Sequence, residues 1–186
     1  MDHFYRKLPW EMMNYEDLYS DMVRRFPSGV FVEVGSWMGA SAAFMAVEII
    51  NSGKPIQLHC VDHWKGSEAE PVLQNFLKTV DGYEVFKHNM KPVWDRIHVH
   101  RMPSTEAALK FLDASVDFVF IDASHTYDDC LADIKAWLPK VKPGGVIAGH
   151  DFDWTFMGVV HAVRDVFYSD YRVQGNCWIH EVKAAG

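Results

Sequence analysis

Four residues that can bind a metal ion or move a proton lie at the ends of two strand-like segments. Asp122 and His125 occur in the sequence IDASH, where the apolar segment VDFVFI ends. His150 and Asp151 are adjacent, at the end of the segment GVIAGH. Carboxylates suit Mg²⁺ or Mn²⁺, and imidazole is better tolerated by Mn²⁺, Fe²⁺ or Zn²⁺. Two carboxylates with one or two imidazoles therefore predict a divalent-metal site.

Each of these residues also has a purely structural interpretation. Asp122 is suitably placed to cap a helix that begins near Thr126, and His150 is compatible with a hydrogen-bonded core histidine. Their joint position favours function, because the carboxyl ends of neighbouring parallel strands form the ligand-binding edge of an open α/β sheet.

A loop with two glycines, GSWMG, follows another strand-like segment, VFVEV. Gly35 permits a tight turn, and Gly39 lets the next helix begin near the strand, so that its amide groups can face a ligand. Asp62 follows 23 residues beyond Gly39, a distance typical of a carboxylate that binds a ribose. Together they indicate an adenosine-containing cofactor, although a simple turn and a solvated strand end are alternatives. His63 and Trp64 can contact an adenine or pack within the loop.

The elements that position these residues alternate between short β-rich segments and longer segments with helical spacing. This pattern predicts an α/β fold: a Rossmann-like, seven-stranded, mostly parallel sheet with helices on both faces and a C-terminal antiparallel hairpin. Strands are predicted at 30–34, 56–61, 96–101, 116–121 and 145–150, before a hairpin that turns near Gly175. Helices are predicted at 41–50, 70–80, 104–112, 127–138 and 158–167. Strands one, four and five are expected to be neighbours, which would bring the strand-end residues together.

Length and charge limit the classes of function. A chain of 186 residues fits one domain, and the first 28 residues are expected to form a helical extension beside the sheet. The net charge of −7 and the absence of a basic cluster argue against a nucleic-acid partner. No apolar segment is long enough to span a membrane, and the N-terminus does not resemble a signal peptide. We expect a cytoplasmic protein, with its three cysteines reduced in the core.

The sequence EVGSWMGAS resembles the first loop of the class I S-adenosylmethionine-dependent methyltransferases. The resemblance is to the metal-dependent O-methyltransferases, which include catechol O-methyltransferase and the macrolide-sugar O-methyltransferases. In the catechol-type enzymes the loop reads acidic residue, x, Gly, x, aromatic, x, Gly, x, Ser, and here these positions are Glu33, Gly35, Trp37, Gly39 and Ser41. The resemblance extends over nearly the whole chain from residue 28 onward and implies one class I methyltransferase domain over 1–186.

The resemblance implies that S-adenosylmethionine is the cofactor. The first loop would hold its methionine portion, Asp62 its ribose and Ser104 the edge of its adenine. The complete cofactor-binding set that we expect is Glu33, Gly35, Ser36, Trp37, Gly39, Ser41, Asp62, His63, Ser104 and Asp122.

The resemblance also implies a metal site and a catalytic base. The family ligands are a carboxylate after strand four and an acidic or amide pair after strand five, which Asp122 and Asp151 match. His150 departs from the usual Asp or Glu of that pair and is included as the third ligand. His125 occupies the position of the general base, which is lysine in the catechol enzymes and histidine in the macrolide-sugar enzymes. The implied reaction is methyl transfer to a hydroxyl group, assisted by Mg²⁺ or Mn²⁺.

Two other functions are compatible with parts of the sequence. One is a non-catalytic module that binds S-adenosylmethionine, and the other is a nicotinamide-dependent oxidoreductase, which the GxxxG spacing disfavours because such enzymes carry GxGxxG. The expected acceptor is a small molecule with a hydroxyl group, a sugar or a phenol, contacted by aromatic residues such as Trp10, Trp64, Trp154 and Phe156. The same aromatic residues are compatible with a homodimer.

Overall fold

A computed structural model describes residues 1–8, 14–67 and 71–183. Within them the strands are β1 (Gly29–Val34), β2 (Ile56–Asp62), β3 (Ile97–Arg101), β4 (Val116–Ile121), β5 (Val141–Gly149), β6 (Arg172–Gln174) and β7 (Cys177–Glu181). The α-helices are α1 (Glu16–Arg25), α2 (Ala40–Ser52), α3 (Pro71–Leu77), α4 (Gly82–Asn89), α5 (Ser104–Ala108), α6 (Tyr127–Trp137) and α7 (Met157–Phe167). Short 3-10 helices occur at Tyr5–Lys7, Lys91–Arg96 and Leu138–Lys140.

The strands form one seven-stranded sheet in the order β3-β2-β1-β4-β5-β7-β6. The first five strands are parallel, and β7 pairs antiparallel with both β5 and β6. The predicted fold class is confirmed, including the neighbouring positions of β1, β4 and β5. Because parallel strands end at the same edge, this order gathers the polar strand-end residues there.

Side chains of β1 alternate between the two faces of the sheet, as expected for a strand that is covered on both sides. Phe31 belongs to the core beneath α1 and α2, whereas Val32 and Val34 belong to the core beneath α6 and α7. The three cysteines are buried and unpaired, which agrees with the prediction. No helix among the described residues is both long and apolar enough to cross a membrane.

Two predicted helices differ from the structure. The helix predicted at 70–80 ends at Leu77, and α4 begins separately after Asp81, whose side chain accepts hydrogen bonds from the Tyr83 and Glu84 backbone N–H groups. The helix predicted at 104–112 ends at Ala108, and beyond it Phe111 still packs against the core while its leucine neighbours do not. Leu109 and Leu112 are 80% and 81% exposed.

The end of β1 lies very close to the end of β4. Gly35 has a φ of 91°, and a Cβ atom added there would be 1.9 Å from the Asp122 carbonyl oxygen. Only glycine fits both the left-handed backbone and this close approach. The first glycine of the loop is therefore required for the sheet edge as well as for the turn.

We expect Gly35→Ala to destabilise the protein by at least about 3 kcal/mol, because it combines a backbone clash with left-handed strain. Gly53→Ala is the matched control, since Gly53 has a φ of 67° and no atom within 4 Å of the added Cβ. The control should cost about 1–2 kcal/mol. Urea unfolding followed by circular dichroism measures both, and equal losses would contradict this account of Gly35.

Candidate functional site

The carboxyl ends of β1, β2 and β4 open into a cleft with a volume of about 1170 Å³. The lining includes nine of the ten residues predicted to bind the cofactor, namely Gly35, Ser36, Trp37, Gly39, Ser41, Asp62, His63, Ser104 and Asp122. His125 lines the same cleft, whereas the tenth residue, Glu33, is buried and not among the lining residues. The space suits a ligand larger than a single nucleoside, and the binding roles of these residues stay predictions.

Asp62 fastens the first loop to the end of β2. Its two carboxylate oxygens accept hydrogen bonds from the backbone N–H groups of Trp37, at 2.8 Å, and Trp64, at 2.6 Å. Burial raises the pKa of Asp62, and these two hydrogen bonds oppose that effect. Because each carboxylate oxygen can accept a second hydrogen bond, the residue can still bind a ribose hydroxyl.

Trp64 does not provide a surface for an adenine. Its side chain is 3% exposed and packs against Tyr83 and Phe86. The indole N–H donates a hydrogen bond to the Trp37 carbonyl oxygen at 2.7 Å, so the Trp64 side chain stabilises the conformation of the first loop. The packing alternative for Trp64 is therefore correct, while His63 lines the cleft.

Glu33 is a buried acid with an unsatisfied oxygen. Its Oε1 atom accepts a hydrogen bond from the Tyr19 hydroxyl at 2.9 Å, but within the described part of the chain neither Oε2 nor the buried Ser36 hydroxyl has a partner with hydrogen-bond geometry. Burial raises the pKa of Glu33 to about 7, although the nearby Ser36, Ser41 and Tyr19 hydroxyls oppose the shift. An unpaired buried carboxylate oxygen is costly, and a cationic amine would satisfy it.

Ser104 lines the cleft, but its hydroxyl already has partners within the protein. It accepts a hydrogen bond from the Trp137 indole N–H at 2.8 Å and interacts with the Asp133 carboxyl. Burial raises the pKa of Asp133 to about 6, and the Ser104 hydroxyl opposes this shift. Asp133 also lines the cleft, so it adds a polar group near the predicted adenine position that the sequence analysis did not identify.

Acidic and imidazole groups meet where β4 and β5 end. Asp122, His125 and Asp151 each place one potential ligand atom within 4.8 Å of the others, the only such trio found among the described residues. His125 Nε2 lies 2.8 Å from Asp151 Oδ2, and the imidazole ring packs 4.2 Å from the Phe156 ring. The sequence prediction thus brought the correct elements together, although the closest trio contains His125 and not His150.

His150 lies between the carboxylates of Asp122 and Asp151 and approaches Oδ1 of Asp151, whereas His125 approaches Oδ2. Its Nδ1 atom lies 3.1 Å from Asp151 Oδ1 and 3.8 Å from Asp122 Oδ1. Its Nε2 atom lies 2.8 Å from the Asn14 side-chain oxygen and so donates its hydrogen to that oxygen. This hydrogen bond orients Nδ1 toward the acids, where a proton or a metal ion is needed between the nitrogen and the carboxylates.

The charges of this cluster are mutually dependent. Burial disfavours ionised Asp151, but hydrogen bonds from His125 and His150 prevail and hold its pKa well below the ordinary value. Burial lowers the pKa of His150, yet its hydrogen bond to Asp151 and the charges of Asp122 and Asp151 raise it overall. For Asp122, burial is dominant and raises the pKa, with the His150 charge opposing it.

Asp122 is not a helix cap. The N-cap of α6 is Thr126, whose side chain accepts a hydrogen bond from the Asp129 backbone N–H at 3.2 Å. Asp122 instead accepts a hydrogen bond from the Tyr15 hydroxyl at 2.8 Å. The capping alternative is therefore wrong, and the carboxyl of Asp122 belongs to the cleft.

Tyr15, Tyr19 and Asn14 were not predicted to belong to the site. Tyr15 and Tyr19 are four residues apart, and each hydroxyl donates a hydrogen bond to a strand-end acid: Tyr15 to the partly buried Asp122 and Tyr19 to the buried Glu33. The spacing of four indicates a common helix face. Nothing local to the tyrosines identifies acids that are 107 and 14 residues away in sequence.

Comparison with known proteins identifies the family. Residues 32–152 match a family described as a methyltransferase domain, and this range runs from the second half of β1 to just beyond the end of β5. The chain belongs to this family of methyltransferase domains. The prediction of a class I S-adenosylmethionine-dependent methyltransferase is thereby confirmed at the level of family and fold.

One curated relative is an uncharacterised protein named y4gI from Sinorhizobium fredii (strain NBRC 101917 / NGR234). It is 26% identical over an alignment of 176 positions that covers 84% of this chain and 19% of that protein. The chain therefore spans about a fifth of the length of this relative.

Solved structures share the fold of this methyltransferase domain at low sequence identity. A protein from Klebsiella pneumoniae, provisionally assigned as an O-methyltransferase, aligns with a TM-score of 0.68 and 17% identity, over 96% of this chain and 84% of that chain. The O-methyltransferase NovP aligns with a TM-score of 0.66 and 15% identity, over 91% and 79% of the two chains. At these identities the similarity establishes the fold alone.

We expect Glu33→Gln to stabilise the free protein at pH 8. The pKa of Glu33 rises from 4.5 to about 7 on folding, so the wild type loses stability as the pH rises through this window, by up to about 3 kcal/mol. Glutamine keeps the shape without the charge and should remove this dependence. Thermal unfolding at pH 5 and pH 8 measures the difference, with Glu106→Gln on α5 as the exposed control. The assignment is wrong if the stability difference between Glu33→Gln and the wild type is the same at pH 8 as at pH 5.

Proposed function

We propose that the protein is an S-adenosylmethionine-dependent O-methyltransferase that acts on the hydroxyl group of a small molecule, a sugar or a phenol, with the help of a divalent cation. The observation that carries the proposal is the arrangement of the cleft. Glu33, a buried acid with one unsatisfied oxygen, lies below one end of the cleft. The hydrogen-bonded pair of His125 and Asp151 lies at the other end.

The groups of the first loop fit S-adenosylmethionine. Glu33 Oε2 and the Ser36 hydroxyl lack partners, and they would bind the ammonium and carboxylate of a methionine moiety. Asp62 is held in place by two backbone N–H groups, and its remaining acceptor capacity suits ribose hydroxyls. His63 and Ser104 line the same cleft toward the expected adenine position.

The groups at the ends of β4 and β5 fit a divalent cation. Asp122 and Asp151 supply carboxylate oxygens, and the hydrogen bond between His150 and Asn14 leaves Nδ1 of His150 facing them. We assign the ion to Asp122, His150 and Asp151, with Mg²⁺ or Mn²⁺ as the expected metal. His125 approaches Asp151 from its other oxygen, Oδ2, so it can remain a base while the ion is bound.

The mechanism assigns His125 the role of general base. When bound, S-adenosylmethionine supplies an electrophilic methyl group, and a divalent cation lowers the pKa of a nearby hydroxyl. Asp151 accepts a hydrogen bond from Nε2–H of His125, which fixes the orientation of the imidazole that would take the proton of the acceptor hydroxyl. Asp122 and the Tyr15 hydroxyl fix the wall of the cleft beside it.

The acceptor position is expected beside Phe156. This ring packs against His125 and provides an apolar surface for a sugar or phenol next to the base. Trp154 is 85% exposed in the same segment after β5 and offers a second surface. Trp64 is excluded by its burial, and Trp10 lies outside the described residues. The histidine base is the feature that the macrolide-sugar type shares, and it favours a sugar acceptor.

The first experiment is calorimetric titration with S-adenosylmethionine and S-adenosylhomocysteine. We expect both to bind the wild type, and Glu33→Gln to weaken binding by about tenfold or more through loss of the charged partner. Asp62→Asn should also weaken binding, because one oxygen of its carboxylate becomes a donor that opposes a backbone N–H. Asp95→Asn, an exposed change away from the cleft, is the control. Absence of binding by either compound would remove the proposal.

Variants of the two histidines separate the base from the metal ligand. We expect His125→Asn to lower methyl transfer by about 10²–10⁴-fold while metal binding is retained. His150→Asn should instead weaken Mg²⁺ or Mn²⁺ binding, and excess metal should partly restore its activity. Methyl transfer from radiolabelled cofactor to a panel of sugars and catechols, with and without chelator, measures both effects. Full activity in chelator would reject metal assistance but leave methyl transfer, and binding of the cofactor without turnover of any acceptor would favour the non-catalytic alternative.

A further inference from the structure

Three histidines form a cluster on the face of β2 and β3 that also carries Val61 of the core beneath α6 and α7. His59 on β2 pairs directly with His98 on β3, and His100 follows two residues later on the same face of β3. β3 is at the edge of the sheet. His98 is exposed, and His59 and His100 are partly buried. None of the three has a part in the proposed methyl transfer.

The three imidazole rings are nearly parallel and in contact. The His59 ring lies 4.6 Å from the His98 ring and 5.2 Å from the His100 ring, with interplanar angles of 21° and 23°. His59 Nδ1 and His100 Nε2 are 2.9 Å apart. Phe111 packs against the His59 and His100 rings, 5.1 Å and 5.6 Å away, and shields them from water on one side.

The distance between the two nitrogens is compatible with a shared metal ion. Two nitrogens that are each 2.0–2.1 Å from one ion are about 2.9 Å apart at a right angle and about 3.4 Å apart at the tetrahedral angle. The two nitrogens share a hydrogen bond in the free protein, and a bound ion would replace that hydrogen bond after the rings rotate to direct both lone pairs to one point. His98 is exposed on an edge strand, so rotation of its side chain can add a third nitrogen.

Protons compete weakly for these nitrogens. Burial lowers the pKa of His59 to about 4, and the neighbouring imidazoles add to the shift. Burial also lowers the pKa of His100, with contributions from the charge of Lys110 and from His98. Metal ions bind neutral imidazole, and the nearby ionisable groups that affect the cluster are Lys110 and the histidines themselves.

We propose that His59, His98 and His100 form a binding site for a borderline divalent transition-metal ion such as Zn²⁺, Ni²⁺ or Cu²⁺. Imidazole nitrogens without a carboxylate favour these ions and disfavour Mg²⁺ and Ca²⁺. The site is separate from the strand-end acids, which carry the carboxylates that Mg²⁺ prefers. A bound ion would link the edge strand β3 to β2 through side chains.

The test measures binding of Ni²⁺ and Zn²⁺ to the full chain and does not depend on methyl transfer. An Asp122→Asn, Asp151→Asn double variant removes the strand-end carboxylates, so that any remaining tight binding belongs elsewhere. In this background we expect one ion per chain by calorimetry. His98→Asn and His100→Asn should each raise the Kd by about tenfold or more. His88→Asn is the matched control, because His88 is an exposed histidine on α4.

A spectroscopic readout locates the ion directly. The imidazole ¹⁵N resonances of His59, His98 and His100 are assigned by their absence from the spectra of the three variants. Substoichiometric Ni²⁺ should broaden these resonances selectively. The His98 variant keeps the proposal testable if a change at His59 impairs folding, because His98 is exposed. Loss of binding in the double variant of the strand-end acids, or an unchanged Kd in both His98→Asn and His100→Asn, would overturn the proposal. Equal weakening by His88→Asn would indicate an adventitious ion only and would also overturn it.

Discussion

Two carboxylic acids on adjacent strands, the buried Glu33 and the partly buried Asp122, are the constraint on which the site depends. Glu33 on β1 and Asp122 after β4 are close enough for each to disfavour ionisation of its neighbour. Buried charge of one sign is costly unless hydrogen bonds or a cation compensate it. The chain supplies two hydroxyl donors from one helix face: Tyr15 binds Asp122, and Tyr19 binds Glu33. Docking of α1 is therefore coupled to the state of the cleft.

This coupling makes the N-terminal region part of the site. Tyr15 contacts the His150 ring as well as Asp122, and Asn14 accepts the hydrogen bond that orients His150. In an open α/β sheet the strand ends alone leave such acids accessible to water. Here Asn14, Tyr15 and the first turn of α1 lie against them. A change in the position of α1 would alter the hydrogen bonding of both acids at once.

The sequence predicted the fold and the location of the site better than it predicted the bonds within the site. Alternation of strands and helices was sufficient to derive the sheet, because its parallel strands are buried on both faces and separated by amphipathic helices. The strand-end rule then gathered Asp62, Asp122, His125 and Asp151 without knowledge of any distance.

What the sequence could not supply were pairings between residues remote from each other in the chain. The phenol of Tyr15 reads as part of an apolar helix stripe, and its hydrogen bond to Asp122 becomes visible only after folding. Trp64 looked equally suited to a ligand or to the core, and its buried indole N–H decides for the core. The roles assigned to Glu33 and Ser104 came from a family pattern, and that pattern did not contain the unpaired oxygen of Glu33 or the partners of Ser104.

The acids at the two ends of the cleft have opposite pKa shifts, and this difference favours one orientation of a bound ligand. No cation among the residues that the structure describes shifts the pKa of Glu33, so burial moves that pKa to about 7 and a ligand would supply the counter-charge. Asp151 has two imidazoles and remains ionised. A ligand with a positively charged amine therefore gains most at the Glu33 end, while in the proposed function an uncharged hydroxyl compound would meet His125 at the Asp151 end. The ionised carboxylate of Glu33 destabilises the free protein, and an amine would neutralise it. Binding of such a ligand therefore restores part of the folding stability that Glu33 costs.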